Sequence, residues 1–148
     1  MGAIPRCPEC GAAWTDGKTC SDAFHEMLAW EFEHGLPDVH HLVVLCYHLQ
    51  HPSLYSPAGL ASAQGLLVDF VERGVTPDVA RRRSGPRLDS GKRTFKIKGT
   101  PSSHGAYPHP PAWTMTAADV VAGGVGNYYD NVRRWARLTL EALRSSGP

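Results

Sequence analysis

The chain has 148 residues, 42% of them hydrophobic and 20% charged, and a formal net charge of +1. This length predicts a single domain over 1–148, with enough apolar residues for a core, which excludes wholesale disorder. The near-zero charge excludes a polyanion binder acting through bulk charge. No run approaches the ~18 apolar residues of a membrane span, and the first residues lack the apolar stretch of a secretory signal. The expectation is a cytoplasmic protein without a membrane partner.

Residues 1–19 are rich in Gly, Pro and Thr and carry Cys7-Pro8-Glu9-Cys10-Gly11. A redox C-x-x-C would open a helix after a strand, and nothing strand-like precedes Cys7. In a reducing compartment, clustered cysteines point to metal rather than disulfides. Gly11 permits the tight turn with which a backbone wraps an ion. The segment reads as a zinc-knuckle loop, with Cys20 returning nine residues after the knuckle as third ligand.

Ser21 then reads as an N-cap for a helix over 22–34, with Phe24, Leu28 and Phe32 marking one face. Gly35-Leu36-Pro37 ends it. A second helix is expected from Asp38 to about His51, its core face carrying Leu42, Val43, Leu45, Cys46 and Leu49; Pro52 stops it. Ser56-Pro57 opens a third helix, with Leu60, Leu67, Phe70 and Val71 inward, which stops at Gly74. Thr76-Pro77 starts a short fourth, running into Arg81-Arg82-Arg83. Residues 84–114 read as irregular, with one alternating run, Thr94 to Lys98, as an isolated strand or hairpin edge. Thr116 caps a short helix, 117–122, and the last helix spans about 127–144 with Val132, Trp135, Thr139 and Leu143 in a stripe. The predicted fold is mainly α. It is a bundle of about five helices with an N-terminal zinc-knuckle loop (1–19), a helical core (20–80), a long irregular basic loop (81–114) and C-terminal helices (115–148).

Three thiolates leave one position on a tetrahedral zinc. Of eight histidines, His25 is nearest to Cys20 in sequence. The first two helices, joined by a short loop, should lie antiparallel, so that Cys20 falls beside residues 51–53. That favours His51 as the fourth ligand, with His25 the alternative. His40 shares a helix face with His51 but lies ~16.5 Å from it along the axis, too far to share an ion. Glu31, His40 and Tyr47 form a possible second polar site in the hairpin, a carboxylate fixing an imidazole tautomer as catalytic sites do; the competing reading is a buried structural hydrogen bond. His104 and His109, set among prolines, offer a weaker second metal contact.

The residues Cys7-Pro8-Glu9-Cys10-Gly11, Cys20 followed by Phe24, Leu28 and Glu31, then His40 and Tyr47-His48-Leu49-Gln50-His51-Pro52 resemble a bacterial family of small proteins of unknown function, domain-of-unknown-function family 5946. The resemblance continues at Ala118-Asp119-Val120 and Val132-Arg133-Arg134-Trp135-Ala136. It implies Cys7, Cys10, Cys20, His40 and His51 as motif positions and leaves His25 outside the pattern. It implies no activity.

Charge is unevenly spread. Residues 1–40 carry seven acids against Arg6 and Lys18, whereas Arg81, Arg82, Arg83, Arg87, Lys92, Arg93, Lys96 and Lys98 are eight of the fifteen basic residues. A phosphate or nucleic-acid contact at Arg81, Arg82, Arg83, Lys92 and Arg93 would work by counterion release; a solvated loop is the plainer reading. The leading expectation is a binding or interaction module with structural zinc, its partner a protein or small molecule. The alternatives are a metal-dependent enzyme using Glu31, His40 and Tyr47, and a nucleic-acid-binding adaptor using 81–98. No phosphate loop, nucleophile–base pattern or H-E-x-x-H is present.

Overall fold

The computed structural model describes residues 4–88 and 97–146, with side chains of 83–88 outside the description. Among these residues there are six α-helices: α1 (Cys20–His34), α2 (His40–Leu49), α3 (Pro57–Glu72), α4 (Pro77–Leu88), α5 (Ala117–Ala122) and α6 (Tyr128–Ser145). Among the described residues, β-structure is limited to isolated bridges, one of them Tyr55 with Lys98. No helix is long and apolar enough to cross a membrane, among the described residues.

The core forms where α2 meets α3 and α6. All five apolar side chains expected inward on α2, namely Leu42, Val43, Leu45, Cys46 and Leu49, are buried. From α6 come Val132, Trp135 and Thr139, fully enclosed, with Leu143 half-covered. On α3, Leu60 and Leu67 are buried, whereas Phe70 and Val71 pack at the margin. Gln50, 1% exposed, lies in this core just past α2. Its Nε2 donates to the Met115 carbonyl at 2.8 Å and the Thr139 hydroxyl at 3.3 Å.

Helix α1 corrects the expected pattern twice. Its N-cap is Thr19, not Ser21: the Thr19 hydroxyl accepts from the Asp22 N–H, and the Asp22 carboxylate accepts from the Thr19 N–H at 2.8 Å. The inward face is Cys20, Ala23 and Met27 rather than Phe24, Leu28 and Phe32, and Phe32 is 90% exposed. The reason is rotational. Cys20 and Glu31 are separated by 31 − 20 = 11 positions, which at 100° per residue places them about 20° apart on one stripe. Both are held inward by polar partners. Phe32, a further ~100° round, is carried out to solvent.

The stretch expected to be one irregular basic loop divides in two. Residues 81–88 continue α4. Residues 97–115 are irregular but packed, a strap across the end of α2: Ser56 donates to the Ile97 carbonyl at 2.7 Å, Gly105 to the Tyr55 carbonyl at 2.7 Å, and the Tyr107 hydroxyl to the Leu49 carbonyl at 2.6 Å. A Cβ on Gly99 would lie 2.4 Å from the Ser53 carbonyl oxygen and 2.5 Å from that of Tyr55. Only glycine admits so close a backbone approach. Of the expected strand 94–98, residues 94–96 lie outside the described residues.

Candidate metal centre

The amino-terminal segment folds as a turn around its own thiols. Cys7 donates its N–H to the Ala12 carbonyl at 2.9 Å, and Gly11 returns its N–H to the Cys7 carbonyl at 2.9 Å. Gly11 takes φ +80°, the left-handed conformation the turn requires. The Cys10 N–H points at the Cys7 sulfur, 3.4 Å away. Trp14 closes the loop by donating its backbone N–H to the Pro5 carbonyl at 2.8 Å, while its indole N–H reaches the Cys20 sulfur at 3.3 Å. The sulfurs of Cys7 and Cys20 thus each accept an N–H group, which favours negative charge on them.

Cys20 enters from the first position of α1 and His51 from just beyond α2. The donor atoms of Cys7, Cys10, Cys20 and His51 all lie within 4.8 Å of one another, and all four residues are buried. This is close to the ~3.8 Å edges of a tetrahedron with ~2.3 Å metal–sulfur bonds. The four can hold a metal ion. The imidazole bears this out: His51 Nδ1 lies 2.6 Å from the Tyr47 carbonyl, to which it can only donate. The lone pair is therefore on Nε2, which is buried and without a hydrogen-bond partner. The Tyr47 ring, tilted over His51 at 4.5 Å and stacked on Phe24 at 4.3 Å, holds the imidazole plane.

The sulfurs of Cys10 and Cys20 approach to 3.4 Å. The hydrogen bond between them pushes the Cys10 thiol well up and holds Cys20 down to about 4, with the neighbouring His51 and then the Trp14 indole also favouring the Cys20 thiolate. The arrangement favours a thiolate at Cys20, the form in which sulfur binds a cation.

A further residue joins the centre to the helical body. Glu9, inside the Cys-x-x-Cys turn, accepts the Ser53 N–H at 3.0 Å and the Ser53 hydroxyl at 2.7 Å. The knuckle is therefore fastened two residues beyond His51. Neither Glu9 nor Trp14 stands out in the sequence by type; only the place of Glu9 next to Cys10, and of Trp14 between Cys10 and Cys20, could have flagged them.

His25 is turned away. Its Nδ1 lies 2.7 Å from the carbonyl of Ser21 one turn back on α1, and the side chain is exposed. His104 and His109 are exposed on the strap and join no cluster of metal donors among the described residues.

The second polar site forms with one substitution of partner. His40 Nδ1 lies 2.7 Å from Glu31 Oε1. The hydroxyl on Glu31 Oε2, at 2.8 Å, belongs to Tyr128 of α6, not to Tyr47. Tyr47 sits one to two turns further along α2, beside His51. Of the basic residues, Arg81 is paired with Asp78 one turn earlier in α4. Arg82 is exposed on the same helix, Arg83 lies within α4, and Lys92 and Arg93 are outside the described residues.

No curated protein and no solved structure matches the chain. A family model described as a family of unknown function, DUF5946, matches residues 5–144. The chain belongs to that family.

Proposed function

We propose that this protein binds one zinc ion at Cys7, Cys10, Cys20 and His51, that the ion is structural, and that the helical body it stabilises serves as a binding or interaction module. The observation that carries this reading is the buried His51 Nε2, unpaired and set among three thiols. Thiolates and imidazole in that ratio suit zinc. Four protein donors complete a tetrahedron and leave no position for a reacting water, so a catalytic ion, which keeps three protein ligands, is disfavoured.

Energetics point the same way. The buried residues around the centre are Cys7, Cys10, Ala12 and Cys20, with Trp14, Tyr47, Trp113 and Ala118 half-covered beside them. Three cysteines and an alanine bury too little apolar surface to order a loop of some fifteen residues, each of which gives up ~1–2 kcal/mol of backbone entropy. A structural zinc contributes on the order of 10 kcal/mol of binding energy to such folds. For the nucleic-acid reading of 81–98, Arg81 pairs with Asp78 on the surface of α4, and the side chains of 83–96 lie outside the described residues.

The test is zinc content and melting temperature of the wild type, Cys10→Ser, His51→Ala and His25→Ala. About one zinc per chain is expected in the wild type and in His25→Ala, with loss of metal and a lowered melting temperature in the other two. Full zinc retention and an unchanged melting temperature in His51→Ala would contradict the ligand set.

A further inference from the structure

At the opposite end of the α1–α2 hairpin from the cysteines lies an open groove of about 730 Å³, bounded by α1, the α1–α2 turn and the start of α4. Its volume falls in the range of small-molecule sites, ~300–1,000 Å³. Three independent features of its lining converge on one ligand chemistry.

The first is an acceptor. His40 places Nδ1 2.7 Å from Glu31 Oε1, which leaves Nε2 as the ring nitrogen free for a ligand and, in the neutral ring with its proton on Nδ1, an acceptor. His40 is 55% exposed and Nε2 has no partner among the described residues, whereas the Glu31 side chain beneath it is only 9% exposed. Glu31, held by both His40 and the Tyr128 hydroxyl, fixes the ring in place. The second is charge. Among the described residues, Glu31, Asp38 and Asp78 line the groove with one arginine, Arg81. Arg81 is used by Asp78, and Asp38 has no cationic partner among the described residues. The third is the Phe32 ring, 90% exposed on the groove wall with Leu28 behind it. A cation balanced by Asp38 could also lie over this ring, since a cation over an aromatic face is attracted to the ring quadrupole.

We infer that this groove is a binding site for a small primary amine with an apolar body, an aralkyl- or alkylammonium ion. The ammonium donates to His40 Nε2 and is balanced by Asp38, and the apolar part lies against Phe32 and Leu28. This names a ligand for the proposed interaction module, and it uses none of the zinc ligands.

The test is calorimetric titration of phenethylamine into the full chain at about pH 8.5, where imidazole is neutral and the amine is charged. Zinc content is measured on the same preparation, so that failure of the metal reading is seen separately. Saturable 1:1 binding with Kd at or below about 1 mM is expected. Phe32→Ser, at a side chain that supports no packing, and Asp38→Asn should each weaken it about fivefold. Long-range proton–nitrogen spectra should show the His40 Nε2 resonance moving with occupancy. 3-Phenylpropionate, of similar size and opposite charge, should not bind. Equal binding of 3-phenylpropionate, an unmoved His40 resonance, unchanged affinity in both variants, or no saturation by about 10 mM amine would each overturn the assignment. So would a blocked tripeptide with a central lysine that bound as tightly, because the site would then be one for protein side chains.

Discussion

At the residue scale, the centre depends on where individual lone pairs and protons are held. Tyr47 fixes the His51 tautomer through its carbonyl and the ring plane through its phenol. Glu9 fixes the distance between the knuckle and His51 through Ser53. Removing the Glu9 carboxylate strands the Ser53 N–H and hydroxyl in a half-buried setting. Glu9→Ala should therefore cost about 1.5–3 kcal/mol in urea unfolding of the zinc-loaded protein and weaken zinc retention against a chelator. An unchanged unfolding midpoint would show that Ser53 contributes nothing to the clasp. The clustering of Cys7, Cys10, Cys20 and His51 was legible from Cys-x-x-Cys spacing and the antiparallel geometry of a short-looped hairpin. Glu9 and Tyr128 were not, because a hydrogen bond across forty or more positions leaves no local periodicity to read; Trp14 reaches Cys20 across only six, but through an irregular loop that has no period of its own.

At the element scale, α1 shows how polar partners override an apolar pattern. The i, i+4, i+8 series Phe24, Leu28, Phe32 is a valid helical stripe, yet it lies beside the buried one. Cys20 at one end and Glu31 at the other set the rotation, because each has an inward partner that cannot be replaced by water without loss. In α2 no such conflict exists. Its apolar residues and its terminal histidines occupy compatible faces, and the sequence pattern and structure agree there. Two outcomes follow for α1. Phe32→Ser should change unfolding free energy by less than about 0.5 kcal/mol, as for an ordinary exposed site. Met27→Ala, at a fully enclosed side chain, should cost about 2–5 kcal/mol. Chemical denaturation of the two variants side by side checks the assignment of faces, and a reversed order would restore the Phe24 stripe. Thr19→Ala, which removes the side-chain half of the capping box, should cost about 1 kcal/mol.

At the scale of the whole molecule, the hairpin carries a polar cluster at each end, spaced by the same 11 positions along α1 (31 − 20) and along α2 with the turn that follows it (51 − 40). The thiol–imidazole end is closed and buried. The Glu31–His40 end is open to a groove. Strap 97–115 locks over the closed end, and its path could not be foreseen because it is fixed by backbone contacts at Gly99 and Gly105 rather than by side-chain pattern. Stability across this body should also depend on pH through His41. Burial, with a smaller contribution from His40, lowers its basicity below the usual imidazole value. As pH falls, the unfolded chain therefore takes up this proton before the folded one. The contribution is present above the unfolded value of about 6.5 and is lost below it. His41→Gln should flatten the fall in melting temperature between about pH 7.5 and 5.5 relative to wild type. An identical slope in both proteins would show that His41 titrates alike folded and unfolded.

The gathering of three thiols and one imidazole around a single cation is tested most directly by X-ray absorption at the zinc edge of the purified full chain, beside His51→Ala. The account predicts three sulfurs at about 2.3 Å and one nitrogen at about 2.0–2.1 Å, with the nitrogen lost in the variant. A first shell containing a water or carboxylate oxygen in place of the nitrogen, or fewer than three sulfurs, would contradict it.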